Sequence, residues 1–236
     1  MAEALLQVKE ITKHYGNFCA FERLSLTINR GEIFGLLGLN GVGKTTLFKS
    51  VLKLVKVSGG EIHYREKPLT SDDIQNFIGY LPELFMPLGE LSAREFLRFL
   101  GFGISVSKQH TEMLFEKTGL NPDKKTRDYS RGMIQRLGMA IALLKDPDFI
   151  MLDEPTLGLD PIAQQQMLTW LRELNSQGKT IFFSSHYLSH VEQLCHRIAI
   201  MHQGIIKFVG SITEFLEKHS TSSLEEGFLK EVGYHA

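Results

Sequence analysis

Residues 38–46 read Gly-Leu-Asn-Gly-Val-Gly-Lys-Thr-Thr. This stretch has the spacing G-x-x-x-x-G-K-[ST] of a phosphate-binding loop. An apolar run, Ile33–Leu37, precedes it, and an amphipathic stretch with Leu47, Val51 and Leu54 on one face follows it. A strand, this loop and a helix, in that order, form the context in which such a loop binds phosphate. The sequence therefore predicts a nucleotide-binding α/β protein.

The loop suits a polyphosphate because its backbone, its charge and its hydroxyl groups each contribute. Gly38, Gly41 and Gly43 allow a tight turn whose N–H groups point inward at the positive end of the next helix. Lys44 adds a full positive charge for the β and γ phosphates, and the Thr45 hydroxyl is suited to Mg²⁺. The expected ATP-binding set in the loop is Gly38, Asn40, Gly41, Val42, Gly43, Lys44, Thr45 and Thr46.

A second apolar run, Phe149–Asp153, ends in two adjacent carboxylates. Asp153 at the strand end would hold Mg²⁺, and Glu154 can act as a general base on an attacking water. An acidic pair after a strand is by itself a weak signal, and the upstream phosphate-binding loop makes it a strong one. His186 follows the apolar run Thr180–Ser184, where its imidazole could reach a γ-phosphate.

The remaining patterns predict a mainly parallel sheet, a smaller antiparallel sheet and a helical insert. Ile198–Met201 is another buried run, and helical patterns between the runs indicate βαβ units. Leu24–Ile28 alternates apolar and polar residues, which predicts an N-terminal antiparallel β-subdomain. Ile205–Val209 is expected to return as a hairpin strand. We expect one domain, with a core and β-subdomain over 1–84 and 136–236 and a helical subdomain over 85–135.

Helix starts are marked by residues that accept hydrogen bonds from the first turn. Asp160 followed by Pro161 predicts an N-cap with proline at the first helical position, and Gly178 predicts the end of that helix. Capping-box spacing occurs in the pairs Ser92 with Glu95, Ser211 with Glu214, and Ser223 with Glu226.

Composition excludes several classes of protein. The 236 residues carry a net charge of −1, which argues against a nucleic-acid partner. Cys19 and Cys195 form no disulfide framework or metal-ligand spacing, so a reduced cytoplasmic protein is expected. The first residues are interrupted by charges, unlike a signal peptide. No apolar run approaches the ~18 residues of a membrane span, so a membrane role would come through a partner.

Together these blocks resemble the nucleotide-binding subunit of an ATP-binding cassette (ABC) transporter, from about Leu6 to the C-terminal helix. The loop resembles the family's Walker A motif, and FIMLDEP resembles Walker B with Glu154 as the catalytic residue. His186 corresponds to the switch histidine, and Tyr15, in His-Tyr-Gly, matches the aromatic residue that stacks on adenine. The resemblance implies ATP and Mg²⁺ as ligands, with Glu154, His186 and Lys44 in catalytic roles.

The resemblance also assigns residues to a contact between two subunits. Tyr129–Met133 stands where the family signature, usually LSGGQ, is found, and Leu157–Asp160 resembles the D-loop, with Asp160 in communication between subunits. A head-to-tail dimer would bind each ATP between one loop and the partner's signature. The signature residues expected to meet ATP in trans are Ser130, Arg131, Gly132 and Met133.

Two motifs depart from the family pattern. Arg131 and Met133 differ from the usual signature, whereas Ser130 and Gly132 are retained. Glu83 stands where the family's Q-loop carries glutamine, so its carboxylate could bind Mg²⁺ or repel the γ-phosphate. Both changes resemble export-type (ABC-2-like) subunits.

The resemblance implies a separate membrane permease as partner and a position at the cytoplasmic face of the cell membrane. Residues 84–102 are rich in Phe, Leu and Met and would form the groove for the permease. Phe85 and Met86 are the expected interface residues, whereas Phe96, Leu97 and Leu100 are expected in the core.

Two alternatives stay open. One is a soluble ABC ATPase that acts on ribosomes or DNA, although such proteins carry two cassettes or a long coiled-coil insert, and only 46 residues separate Glu83 from Ser130 here. The other is a slow-turnover regulatory cassette that binds ATP. The transported molecule and the choice between homodimer and heterodimer lie outside the sequence.

Overall fold

The computed structural model describes residues 3–101 and 106–233, in which ten strands form two sheets flanked by helices. In chain order the strands are β1 (Ala4–Tyr15), β2 (Phe18–Asn29), β3 (Ile33–Leu37), β4 (Gly59–Tyr64), β5 (Lys67–Pro68), β6 (Ile78–Leu81), β7 (Phe149–Asp153), β8 (Thr180–Ser185), β9 (Arg197–His202) and β10 (Ile205–Ser211). The helices are α1 (Lys44–Val51), α2 (Ser71–Phe77), α3 (Ala93–Leu100), α4 (Lys108–Thr118), α5 (Arg131–Ala142), α6 (Pro161–Ser176), α7 (Leu188–Leu194), α8 (Ile212–His219) and α9 (Leu224–Glu231).

The large sheet has the order β10-β9-β3-β8-β7-β6. Its neighbours from β9 to β6 pair in parallel, and only β10 runs antiparallel, against β9. The small sheet has the order β2-β1-β4-β5 and is antiparallel. This arrangement confirms the predicted α/β fold with a mainly parallel sheet and an N-terminal antiparallel sheet.

Strands β3, β7 and β8 are buried along their whole length, which explains their continuous apolar sequence. The predicted bounds of β3 and β7 are confirmed. Strand β9 is longer than the predicted run Ile198–Met201 by one residue at each end, because hydrogen-bonded pairing continues beyond the apolar residues.

Helix α1 packs between the two sheets and anchors the end of the phosphate-binding loop. The Phe48 ring is fully buried and stacks on Phe182 of β8, with 4.5 Å between ring centroids. Burial of such a side chain contributes about 1.5–3 kcal/mol. The prediction that Leu54 belongs to the apolar face of α1 is wrong. The helix ends at Val51, so Leu54 lies beyond it and is 63% exposed.

The predicted helix caps form with one exception. Asp160 Oδ1 accepts a hydrogen bond from the N–H of Ala163 at 2.9 Å, and α6 ends before Gly178. Reciprocal capping boxes form at Ser92 and at Ser211. At Ser223 only the serine side chain takes part. The box there is incomplete because the Glu226 carboxylate accepts a hydrogen bond from the Thr221 hydroxyl instead.

No helix within residues 3–101 and 106–233 combines the length and the apolar character needed to cross a bilayer.

Candidate active site

The candidate site lies where β3, β8 and β7 end. These strands are neighbours and run in parallel, so their carboxyl ends meet at one edge of the large sheet. A cleft of about 450 Å³ opens there. The predicted site residues that line it are Asn40, Gly41, Gly43, Lys44, Thr45, Thr46, Glu83, Asp153, Glu154 and His186.

The phosphate-binding loop turns between β3 and α1 at a position that only glycine fits. Gly43 has φ of 112°, and a Cβ there would lie 2.8 Å from Met201 Cε and 3.1 Å from the Ala20 carbonyl oxygen. The loop therefore approaches β9 and β2 too closely for any side chain. Helix α1 begins at the next residue, so its N-terminal N–H groups face the cleft.

Lys44 is buried, and its ammonium group lies among oxygens of the site. Nζ donates to the carbonyl oxygens of Gly38 at 2.7 Å and Leu39 at 3.3 Å. It also lies 3.3 Å from Glu154 Oε1, an ion-pair distance, although the angles are not those of a hydrogen bond. A positive charge is thus held between the loop and the carboxylate.

Glu154 is held in a strained backbone conformation by its neighbours. Its φ is 51°, in the left-handed region that side chains disfavour by about 1–2 kcal/mol. Its N–H donates to Ser184 Oγ at 3.0 Å, and its carbonyl accepts from the N–H of Leu157 at 3.1 Å. The Oε2 atom lies 2.9 Å from His186 Nδ1. Strain that the surroundings enforce in this way is typical of functional sites.

Asp153 offers an oxygen that fits a divalent cation. Its Oδ1 accepts from the Ser184 hydroxyl at 2.6 Å, whereas Oδ2 is buried and has no hydrogen-bond partner in the described part of the chain. Thr45 lines the same cleft, and carboxylate and hydroxyl oxygens are hard ligands that suit Mg²⁺. In residues 3–101 and 106–233 no cluster of three or more His, Cys, Asp or Glu could hold a metal alone.

Tyr80 of β6 lies close to the acidic side of the cleft. Burial raises the pKa of the Tyr80 phenol, and the negative charges of Asp153 and Glu83 raise it further. The phenol is therefore neutral at physiological pH and does not add to the negative charge of the site.

Seven predicted nucleotide-contacting residues do not line this cleft. Tyr15 is 45% exposed, and the Lys13 ammonium lies 4.4 Å from its ring centroid. Ser130 caps α5, because its Oγ accepts from the N–H of Met133 at 3.3 Å. Gly38 also lies outside the lining, although its carbonyl accepts from Lys44. The other residues outside the lining are Val42, Arg131, Gly132 and Met133.

Sequence reasoning missed five contributors to the site. Ser184 contacts both acidic residues, and it could have been found from its place at the end of an apolar run. Phe18, Ala20, Leu39 and Leu157 also line the cleft. Phe18 and Ala20 carry no recognisable motif, because only the packing of β2 beside the loop brings them there.

The apolar stretch after Glu83 contains both exposed and buried residues. Leu84 is 79% exposed and Met86 is 86% exposed. Phe85 is only partly buried and packs beside Phe96, with 6.3 Å between ring centroids, so its assignment to an interface stays a prediction. Leu100 was expected in the core and is exposed, because it lies at the last turn of α3. Phe102, in the range 84–102, lies outside the described residues.

Comparisons with known proteins agree with this geometry. A family model described as ABC transporter matches residues 21–157. The chain is 43% identical over 203 residues to an uncharacterised ABC transporter ATP-binding protein of Synechocystis, covering 82% of this chain and 57% of the relative. It is 35% identical to the Nod factor export ATP-binding protein I of Burkholderia lata, covering 86% and 70%.

Solved structures also match. The chain superimposes on one described as an ATP-binding subunit of an ABC transporter, with a TM-score of 0.88 at 28% identity, covering 96% of this chain and 99% of that one. The chain spans 57% and 61% of the length of two curated relatives that it matches.

Proposed function

Because the chain belongs to the ABC transporter family of ATP-binding proteins, we propose that it binds ATP with Mg²⁺ and hydrolyses the nucleotide in the cleft at the ends of β3, β7 and β8. One observation carries this proposal: the Lys44 ammonium, both Glu154 oxygens and the His186 imidazole form a single connected group. Each of these residues came from a different motif of the sequence.

In the proposed reaction Glu154 is the general base. Its carboxylate takes a proton from a water whose oxygen attacks the γ-phosphorus, and the bond to the β–γ bridging oxygen breaks. His186 holds Oε2 of this carboxylate, and Lys44 brings positive charge to the β and γ phosphates. Mg²⁺, when bound through Thr45, Asp153 and Glu83, would neutralise charge that develops on the phosphate oxygens.

The remaining nucleotide contacts are proposed within the subunit and in trans. Within the subunit, Gly38–Thr46 would surround the phosphates, and Tyr15 would stack on adenine. In trans, the N-terminus of α5, at Ser130, Arg131, Gly132 and Met133, would meet the γ-phosphate of a second subunit. This placement is supported by the position of these residues outside their own chain's cleft and by the positive end of the α5 dipole. Asp160 would then lie at the contact between subunits.

The proposed partner that ATP hydrolysis drives is a separate membrane permease, with transport in the export direction. The exposed side chains of Leu84 and Met86 support a contact with an apolar partner next to Glu83. Hydrolysis would remove the phosphate that joins the subunits, so they would separate and move the permease. The chain would thus be peripheral at the cytoplasmic face of the cell membrane. The division into a core over 1–84 and 136–236 and a helical subdomain over 85–135 belongs to the same proposal.

The Glu154→Gln variant tests the proposed chemistry. We expect ATP binding to persist and steady-state phosphate release to fall about 100- to 10,000-fold, because an amide cannot accept the proton. Lys49→Ala, on α1 but outside the cleft lining, serves as the matched control and should retain activity. Rapid hydrolysis by the glutamine variant would contradict the assigned role. Negligible hydrolysis by the wild-type chain would favour the regulatory-cassette alternative.

A further inference from the structure

The Arg131 side chain lies directly on Gly158 in the loop between β7 and α6. A Cβ added to Gly158 would lie 2.5 Å from Arg131 Cζ and 2.9 Å from Cδ, with Nε also in the way. Gly158 has φ of 74°, which glycine adopts without strain. The arginine stem and its guanidinium therefore occupy the space that any other residue at position 158 would fill.

The same face of α5 contacts this loop again one helical turn later. Gln135 is buried, and its Nε2 donates to the carbonyl oxygen of Pro155 at 3.1 Å. Residues four apart lie on one side of a helix, so Arg131 and Gln135 both face the loop. Because Pro155 directly follows Glu154, α5 contacts the segment that carries the proposed general base.

The position of Arg131 is not explained by the stability of α5. Throughout residues 3–101 and 106–233, no carboxylate lies within ion-pair distance of Arg131 and its guanidinium donates no hydrogen bond. A positive charge in the first turn of a helix also opposes the helix dipole. The contact that the side chain does make is van der Waals packing on the Gly158 backbone.

We propose that Arg131 is a positioning residue that holds residues 155–160 against α5 by packing on Gly158. It thereby couples the surface of α5 that meets a second subunit's ATP to Glu154 in its own chain. This inference rests on the proposed function for its consequence in catalysis, whereas the holding of the loop can be measured without nucleotide.

The loop itself provides the first test, in the full chain without ATP. The N–H groups of Leu157 and Leu159 donate within the loop, at 3.1 Å to the Glu154 carbonyl and 3.3 Å to the Thr156 carbonyl. We expect these amides to exchange with deuterium about tenfold faster or more in Arg131→Ala, and at the wild-type rate in Arg131→Met, which keeps a long side chain. Arg98→Ala, an exposed arginine on α3, is the control. Unchanged exchange in Arg131→Ala would overturn the inference.

Steady-state kinetics provide the second test. Arg131→Ala should lower kcat for ATP roughly 10- to 100-fold with little change in KM, because misplacement of a catalytic group affects the chemical step. Arg131→Met should lower kcat less than Arg131→Ala does, because its long side chain still packs on Gly158. Gly158→Ala should lower kcat by a smaller factor in the Arg131→Ala background than in the wild-type background.

The kinetic outcomes separate packing from charge. If Arg131→Lys is active and Arg131→Met is as impaired as Arg131→Ala, the guanidinium acts as a charge and the inference is wrong. If the exchange results hold but the wild-type chain hydrolyses no ATP, the proposed function fails and the contact with the loop stands.

Discussion

At the scale of single residues, His190 extends the polar contacts around the segment that carries the proposed general base. Its side chain is buried, and Nδ1 lies 3.1 Å from the hydroxyl of Thr156, two residues after Glu154. The Tyr187 ring lies beside both His186 and His190, at centroid distances of 4.2 and 5.0 Å. Burial, and then the nearby His186, lowers the pKa of the His190 imidazole, although Glu154 acts in the opposite direction.

This lowered pKa predicts a loss of stability in acid. Below the ordinary histidine pKa of about 6.5, the unfolded chain binds a proton that the folded chain does not. The free energy of unfolding therefore falls as the pH drops below that value. His190→Asn should show a smaller difference between its melting temperatures at pH 7.5 and pH 5.5 than the wild type. His14→Asn, at an exposed histidine, is the control, and an equal reduction in both variants would contradict the prediction.

The motifs predicted which residues meet at the site, but not how they are held. Lys44, Asp153, Glu154 and His186 all line one cleft, as their spacing beside buried strands implied. The positive φ of Glu154 and the two hydrogen bonds of Ser184 depend on β8 lying between β3 and β7. Strand order is a tertiary property, so the local sequence does not contain it.

At the scale of elements, the start of α6 combines a structural and a proposed functional role in Asp160. The carboxylate caps the helix through the N–H of Ala163. Asp160→Ala should lower the free energy of unfolding by about 1 kcal/mol. Asp160→Asn should keep most of this capping contribution, because asparagine caps helices equally well. Urea denaturation of the two variants measures this difference.

The Asn variant also separates the cap from the proposed contact between subunits. If the charge of Asp160 acts in communication between subunits, Asp160→Asn lowers ATP hydrolysis although its stability is near that of wild type. Full activity in Asp160→Asn together with loss of activity in Asp160→Ala would reduce Asp160 to a capping residue.

Helix boundaries were predictable where a side chain marks them. Asp160 and Ser211 start their helices as expected, because each accepts a hydrogen bond from the first turn. The cap of α2 by Thr70 was missed, since its reciprocal partner is Asp73 and the usual pattern has Glu or Gln. The end of α1 was also missed, because Leu54 continues the apolar pattern beyond the last helical residue.

At the scale of the whole molecule, the exposed apolar side chains beside Glu83 mark the proposed permease contact. The double variant Leu84→Ser/Met86→Ser should bind ATP as the wild type does, because neither side chain lines the cleft. It should lose copurification with an integral membrane protein from detergent. Phe85→Ser is the contrasting variant and should lower the free energy of unfolding by about 1–2 kcal/mol, since its partly buried ring packs beside Phe96. Weakened ATP binding in the double variant would contradict the assignment.

The central claim is that ATP joins two copies of this surface, or this chain and a related cassette. For two copies, the most direct measurement is sedimentation velocity of Glu154→Gln with Mg²⁺ and ATP. Gly132→Asp in the same background is the matched variant, because a Cβ at Gly132 has no neighbour nearer than 3.6 Å and the added carboxylate would repel a partner's γ-phosphate. We predict a dimer with ATP for Glu154→Gln and monomers with ADP or with Gly132→Asp. Monomers under every condition at saturating ATP, also with the permease and any related cassette supplied, would contradict the account.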